Sequence, residues 1–128
     1  MKTFDRLLGL PPDAEAVWGK TAAEITTNTA VAVLAPSATN KALFISKVIA
    51  NNKTIAEDAI ITLQDNTGTP IVIARAMVST AGGNGGNWEV NFNPPVQLAV
   101  GKSLMGIAPA TTGDTHIFAQ GWEGSPVE

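Results

Sequence analysis

From about residue 25 onward, apolar positions come in short runs punctuated by Gly, Pro, Asn and Asp, without the recurrence of an amphipathic helix. This spacing predicts strands near residues 25–34, 42–50, 56–64, 71–79, 88–93, 96–100, 104–108 and 116–122. Trp88-Glu-Val-Asn-Phe alternates cleanly, which puts Trp88, Val90 and Phe92 on a core face and Glu89 and Asn91 toward solvent. Leu43-Phe-Ile and Pro70-Ile-Val-Ile-Ala are apolar on both faces, as expected where a loop, an arm or a second subunit covers the outer side. Asp65-Asn-Thr-Gly reads as a turn with Gly68 free to take positive φ, and Asn93-Pro-Pro must leave any central ladder. An all-β antiparallel sandwich or jelly roll is the economical way to bury such strands. Its expected core holds Ile45, Ile61, Leu63, Ile73, Val90, Phe92, Leu98 and Phe118.

The first 24 residues differ in character, being more charged and richer in Leu and Ala, so the chain divides into an arm, 1–24, and a sandwich, 25–128. Phe4, Leu7 and Leu8 have helical spacing, and Pro12 followed by Asp13 and Glu15 resembles a helix first turn ending before Gly19. This arm is mostly non-β, with helical turns too short to persist alone in water, so they must dock. Phe4, Leu7, Leu8, Leu10, Val17 and Trp18 are the apolar residues for that docking, either on a neighbouring chain or on the end of the arm's own domain.

A length of 128 residues suits one domain, and 45% hydrophobic against 15% charged residues excludes wholesale disorder. With no Cys and one His, neither disulfides nor a thiolate or histidine zinc cage can form. A net charge of −3 without basic clusters argues against nucleic acid as a partner. No run approaches the roughly 20 apolar residues of a membrane-spanning helix, and no signal-peptide core is visible. The expectation is synthesis in a cytoplasm without export, with no membrane partner.

Candidate chemistry is sparse. Ala81-Gly-Gly-Asn-Gly-Gly-Asn lacks the Lys-Ser/Thr pair and following helix of a phosphate loop, so Gly82, Gly83, Asn84, Gly85 and Gly86 are read as a turn or a contact loop for another chain. His116 has Asp114 nearby but no nucleophile motif, and adjacent Glu57 and Asp58 point to opposite faces of a strand. Calcium would need a denser set of acidic ligands than Asp65 or Asp114 provides. No catalytic, cofactor or metal site is therefore expected. Trp88 and Trp122 could present faces to a sugar, but Trp88 is in phase with Val90 and Phe92 and Trp122 with Phe118, which favours core burial.

The phrases Ala42-Leu-Phe-Ile-Ser-Lys-Val-Ile-Ala-Asn-Asn, Ala59-Ile-Ile-Thr-Leu-Gln-Asp, Phe92-Asn-Pro-Pro-Val-Gln-Leu-Ala-Val-Gly-Lys-Ser-Leu and Ile117-Phe-Ala-Gln-Gly-Trp-Glu span about two thirds of the chain. Together they resemble the small β-sandwiches of tailed-bacteriophage virion proteins, among them head decoration or cement proteins. That resemblance implies a non-enzymatic role in the virion. It also implies a homo-oligomer, trimer or dimer, bound to the major capsid protein or another virion protein. A carbohydrate- or receptor-binding module of a tail or adhesin is the alternative, since such components share similar sandwiches.

Overall fold

The computed structural model describes residues 10–22, 25, 29–52, 59–78, 86–108 and 115–126. Its strands are β1 (Glu15–Lys20), β2 (Val31–Leu34), β3 (Ala42–Asn52), β4 (Ala59–Asp65), β5 (Val72–Val78), β6 (Gly86–Gln97), β7 (Leu104–Ile107) and β8 (Thr115–Gly124). They form two four-stranded antiparallel sheets, ordered β1-β8-β3-β6 and β2-β7-β4-β5. The pairs β1–β8, β2–β7, β3–β6 and β4–β5 are nested, as if one long hairpin had been rolled up, and β3–β8 and β4–β7 join the pairs into sheets. This is the jelly-roll arrangement of an all-β sandwich.

The core lies between the sheets and includes Ile25, Val33, Leu43, Ile45, Val48, Ile61, Leu63, Leu98, Leu104 and Ile117. Trp88, Val90 and Phe92 pack against it from β6 while Glu89 and Asn91 are exposed, as the alternation predicts. Ile73 also packs there, half-buried.

Four expectations change. Residues 12–19 do not form a helical turn: Ala14 N–H donates to the Pro11 carbonyl at 3.1 Å, closing a turn, and β1 follows at Glu15. A six-residue ladder with β8 outweighs a helix too short to stand alone. The helical spacing of Phe4, Leu7 and Leu8 falls outside the described residues. The strands expected at 88–93 and 96–100 are one edge strand, in which the ladder to β3 steps from Asn91 to Val96 as β3 passes from Lys47 to Ile45. The Pro pair therefore sits in a bulge on an edge, where absent N–H groups are tolerated. Among the described residues the left-handed glycine is Gly101 (φ +75°), not Gly68. A Cβ there would lie 2.8 Å from the Thr39 carbonyl oxygen, and the Asp65 turn is held by side chains instead.

The fourth change is the phase of β8. Thr115, Ile117, Ala119, Gly121 and Glu123 are buried, so Phe118 and Trp122 lie on the outer face rather than in the inter-sheet core. Packing explains the inversion. At Gly121 the β3 backbone approaches so closely that a Cβ would collide with the Phe44 carbonyl, so the inward row has room only for small residues there. The large aromatics take the other side.

Candidate functional site

Val17 packs into the inter-sheet core, which sends its neighbours Ala16 and Trp18 to the outside of the first sheet. Register places Trp18 opposite Gln120, Ala16 opposite Trp122 and Lys20 opposite Phe118. On the far side of β8, Phe44 of β3 lies opposite Trp122 and Lys47 opposite Gln120. A bulge between Ile45 and Lys47 interrupts both ladders of β3 at Ser46. The Ser46 hydroxyl donates to the Gln120 carbonyl at 3.1 Å.

These residues surround an open groove of about 460 Å³ along the outer face. The indole of Trp18 stacks on the Phe118 ring, with centroids 5.8 Å apart and planes inclined by 24°. Trp18 nevertheless remains 64% exposed. The other end is closed: Leu10, Ala42 and Phe44 form a buried outer cluster against which Ala14 and Trp122 pack. The two-faced apolar pattern of β3 is therefore answered partly within the chain, by the residues entering β1.

Asp13 fastens this cover. Its carboxylate accepts from the Ser125 N–H at 3.0 Å and the Ser125 hydroxyl at 2.7 Å, and these bonds hold it below the usual aspartate range. Two further carboxylates hold loops. Burial would raise Glu123, but the Ser37 N–H and hydroxyl, both at 2.7 Å, outweigh it and the pKa is lowered. Burial likewise acts to raise Asp65, and donation from Ile71 N–H at 3.0 Å and from Thr67 reverses the sign.

Of the residues expected to contact partners, Leu10 and Val17 are engaged within the chain, and Trp18 stands on the groove. Phe4, Leu7, Leu8, Gly82, Gly83, Asn84 and Gly85 lie outside the described residues, while Gly86 opens β6 opposite Asn52. His116 is exposed at the start of β8, opposite Asn51, and Glu57, Asp58 and Asp114 lie outside the described residues. Among the described residues no three His, Asp or Glu side chains group as metal ligands, and no helix is long and apolar enough to cross a membrane. The groove itself is not among the sites expected from the sequence. The signal for it was the period-two row His116, Phe118, Gln120, Trp122, alternating with the smaller Ile117, Ala119 and Gly121.

No protein-family model matches the chain, and no curated protein matches it in sequence. Among solved structures it is similar to the virus-like particle of extra small virus from the giant freshwater prawn Macrobrachium rosenbergii, with a TM-score of 0.49 and 12% identity. That match covers 90% of this chain and 80% of the other.

Proposed function

We propose that the chain is a non-enzymatic structural protein of a virus particle, a capsid decoration or cement protein that assembles with copies of itself and with the shell. The observation that carries this reading is large apolar surface left outside a jelly roll, a fold that viral capsid proteins share with lectins. On the second sheet Ile60 is 52% exposed, and Ile71 and Val72, 62% and 42% exposed, lie together at the entry to β5. On the first sheet Trp18 stands over the groove. Single exposed apolar side chains are ordinary, but neighbouring ones on opposite faces of one small sandwich favour contacts on both sides. The resemblance of the strand phrases to phage virion sandwiches points the same way. Light scattering at tens of micromolar should show a dimer or trimer, and the protein should co-sediment with its particle. A monomer that also fails to co-sediment would overturn the proposal.

One observation favours the alternative, a carbohydrate-binding module. Trp18 and Phe118 offer aromatic faces beside the Gln120 side chain and Ser46, a combination suited to the apolar and hydroxyl faces of a sugar. Titrating oligosaccharides while following the Trp18 indole resonance distinguishes the readings, since the structural role requires no shift.

A further inference from the structure

We propose that the outer face of the second sheet seats the chain on a different protein, one that presents a carboxylate within an apolar patch. Register aligns the outward side chains of this face in rows across the strands. Ala32, Met105, Gln64 and Val72 form one row over β2, β7, β4 and β5, and Ile107, Thr62 and Arg75 form the next. Ile60, 52% exposed, follows on β4. An antiparallel sheet that faces water alternates apolar inward with polar outward. Here β7 has Leu104 buried on one side and Met105 and Ile107 half-buried on the other, and β4 sets Ile60 outside next to Ile61 inside. Arg75 is the only charged side chain on this face among the described residues, and it forms no ion pair with them. The first sheet differs, since its outer face carries Lys20, Lys47, Glu89 and Asn91.

The composition of the face selects its occupant. Interface centres are enriched in Met and Arg and depleted in Lys, Asp and Glu, which is the set that these rows carry. A second copy laid face to face would bring its own Arg75 and no carboxylate to answer either cation. The first sheet of a second copy does offer Glu89, but that carboxylate is already held by Lys47 at 2.9 Å. Stacking opposite faces of one sandwich also repeats without closing and gives a filament. The face spans four strands of about five residues each, a footprint of a few hundred Å², short of the about 800 Å² that each partner of a stable dimer buries. A partner that repeats over a surface meets this limit, because copies joined as a dimer or trimer engage several sites at once. The assignment rests on the assembly reading and adds which sheet meets the shell. The Trp18 groove is left on the opposite side, facing away from it.

Hydroxyl-radical footprinting of the full chain, free and bound to shells of its particle assembled without it, tests the assignment. Binding should lower the oxidation of Met105 about threefold or more and leave that of Trp18 unchanged. Arg75→Glu should weaken co-sedimentation with the shells about tenfold or more, and Arg75→Gln less. Both variants should keep the melting temperature, because Arg75 is exposed and unpaired among the described residues. Lys47→Gln, on the first sheet, should bind as the unsubstituted chain does. Shielding of Met105 in the dimer or trimer of the free chain would place a second copy on the face and overturn the proposal. So would a bound chain in which Trp18 is shielded and Met105 stays reactive, although the assembly reading would then stand. A chain that does not bind the shells at all removes both.

Discussion

Phe44 and Phe118, on the neighbouring strands β3 and β8, show how much depends on the surroundings of a ring. Phe44 is 1% exposed beneath Leu10, and Phe44→Ala should cost about 3–5 kcal/mol in urea denaturation. Phe118 is half-buried on the open groove, so Phe118→Ala should cost well under half as much, while moving the Trp18 emission spectrum. Equal losses at the two positions would contradict the observed phase of β8. Asp65 is a polar counterpart: it is 2% exposed and satisfies the N–H groups of Thr67 and Ile71. Asp65→Ala leaves those donors without their acceptor and should cost roughly 1–3 kcal/mol, readable as a lowered urea midpoint. The inward phase of β4 and β6 is legible because Leu63 lies between Thr62 and Gln64 and Val90 between Glu89 and Asn91. On β8 the rule of large apolar inward failed, because the space opposite Gly121 is taken by backbone.

At the level of elements, six of the eight strands lie where periodicity and turn residues put them, with shifts at their ends. Those strands are legible because each is bounded by Gly, Pro, Asn or Asp. Asn93-Pro-Pro divides β6 in two by pattern alone, since a sequence does not announce that a strand will lie at a sheet edge and absorb a bulge. Pro12, Asp13 and Glu15 imitate a helix start, whereas the strand character of β1 comes from β8, about 100 positions away. That origin yields a prediction. A chain beginning at Thr21 loses Val17 from the core, the Leu10 cover and the hydrogen bonds between Asp13 and Ser125. It also bares the edge of β8. Its melting temperature should fall by several degrees and its tendency to aggregate should rise, measured by thermal unfolding with light scattering. A chain beginning at Leu10 keeps all of those contacts and should melt well above the chain beginning at Thr21.

For the molecule as a whole, Asp13, Asp65 and Glu123 give stability a common direction with pH. Each pKa is lower in the folded state than the ordinary 3.8 for aspartate or 4.5 for glutamate, so the unfolded chain binds more protons in that range. Their stabilisation is complete above those ordinary values and is lost as pH falls through the lowered ones. Thermal unfolding should therefore be nearly flat from pH 8 to 6 on this account and decline below about pH 4.5. Glu123→Gln should shallow the decline. A chain whose acid limb is unchanged by that substitution would show that Ser37 does not hold the carboxylate in solution. The fold class was legible at this scale, since eight short segments without helical period leave little besides a sandwich. The groove was not, because it is made by residues from β1, β3 and β8 whose adjacency only the rolled topology creates.

The nested pairing also sets an order of events during synthesis. Asp13 and Ser125, which clasp the outside of the roll, are 112 positions apart in the chain, and Thr21 and Ile117 are 96 apart. At roughly 5–20 residues per second, the entry to β1 leaves the ribosome something like 5–20 s before its partner is made. The innermost pair, β4–β5, is complete long before that. Pulse-labelled nascent chains should therefore become protease-resistant from the middle outward, with the segment around Trp18 protected last. Within the roll, the first strand to be made is the last to be housed.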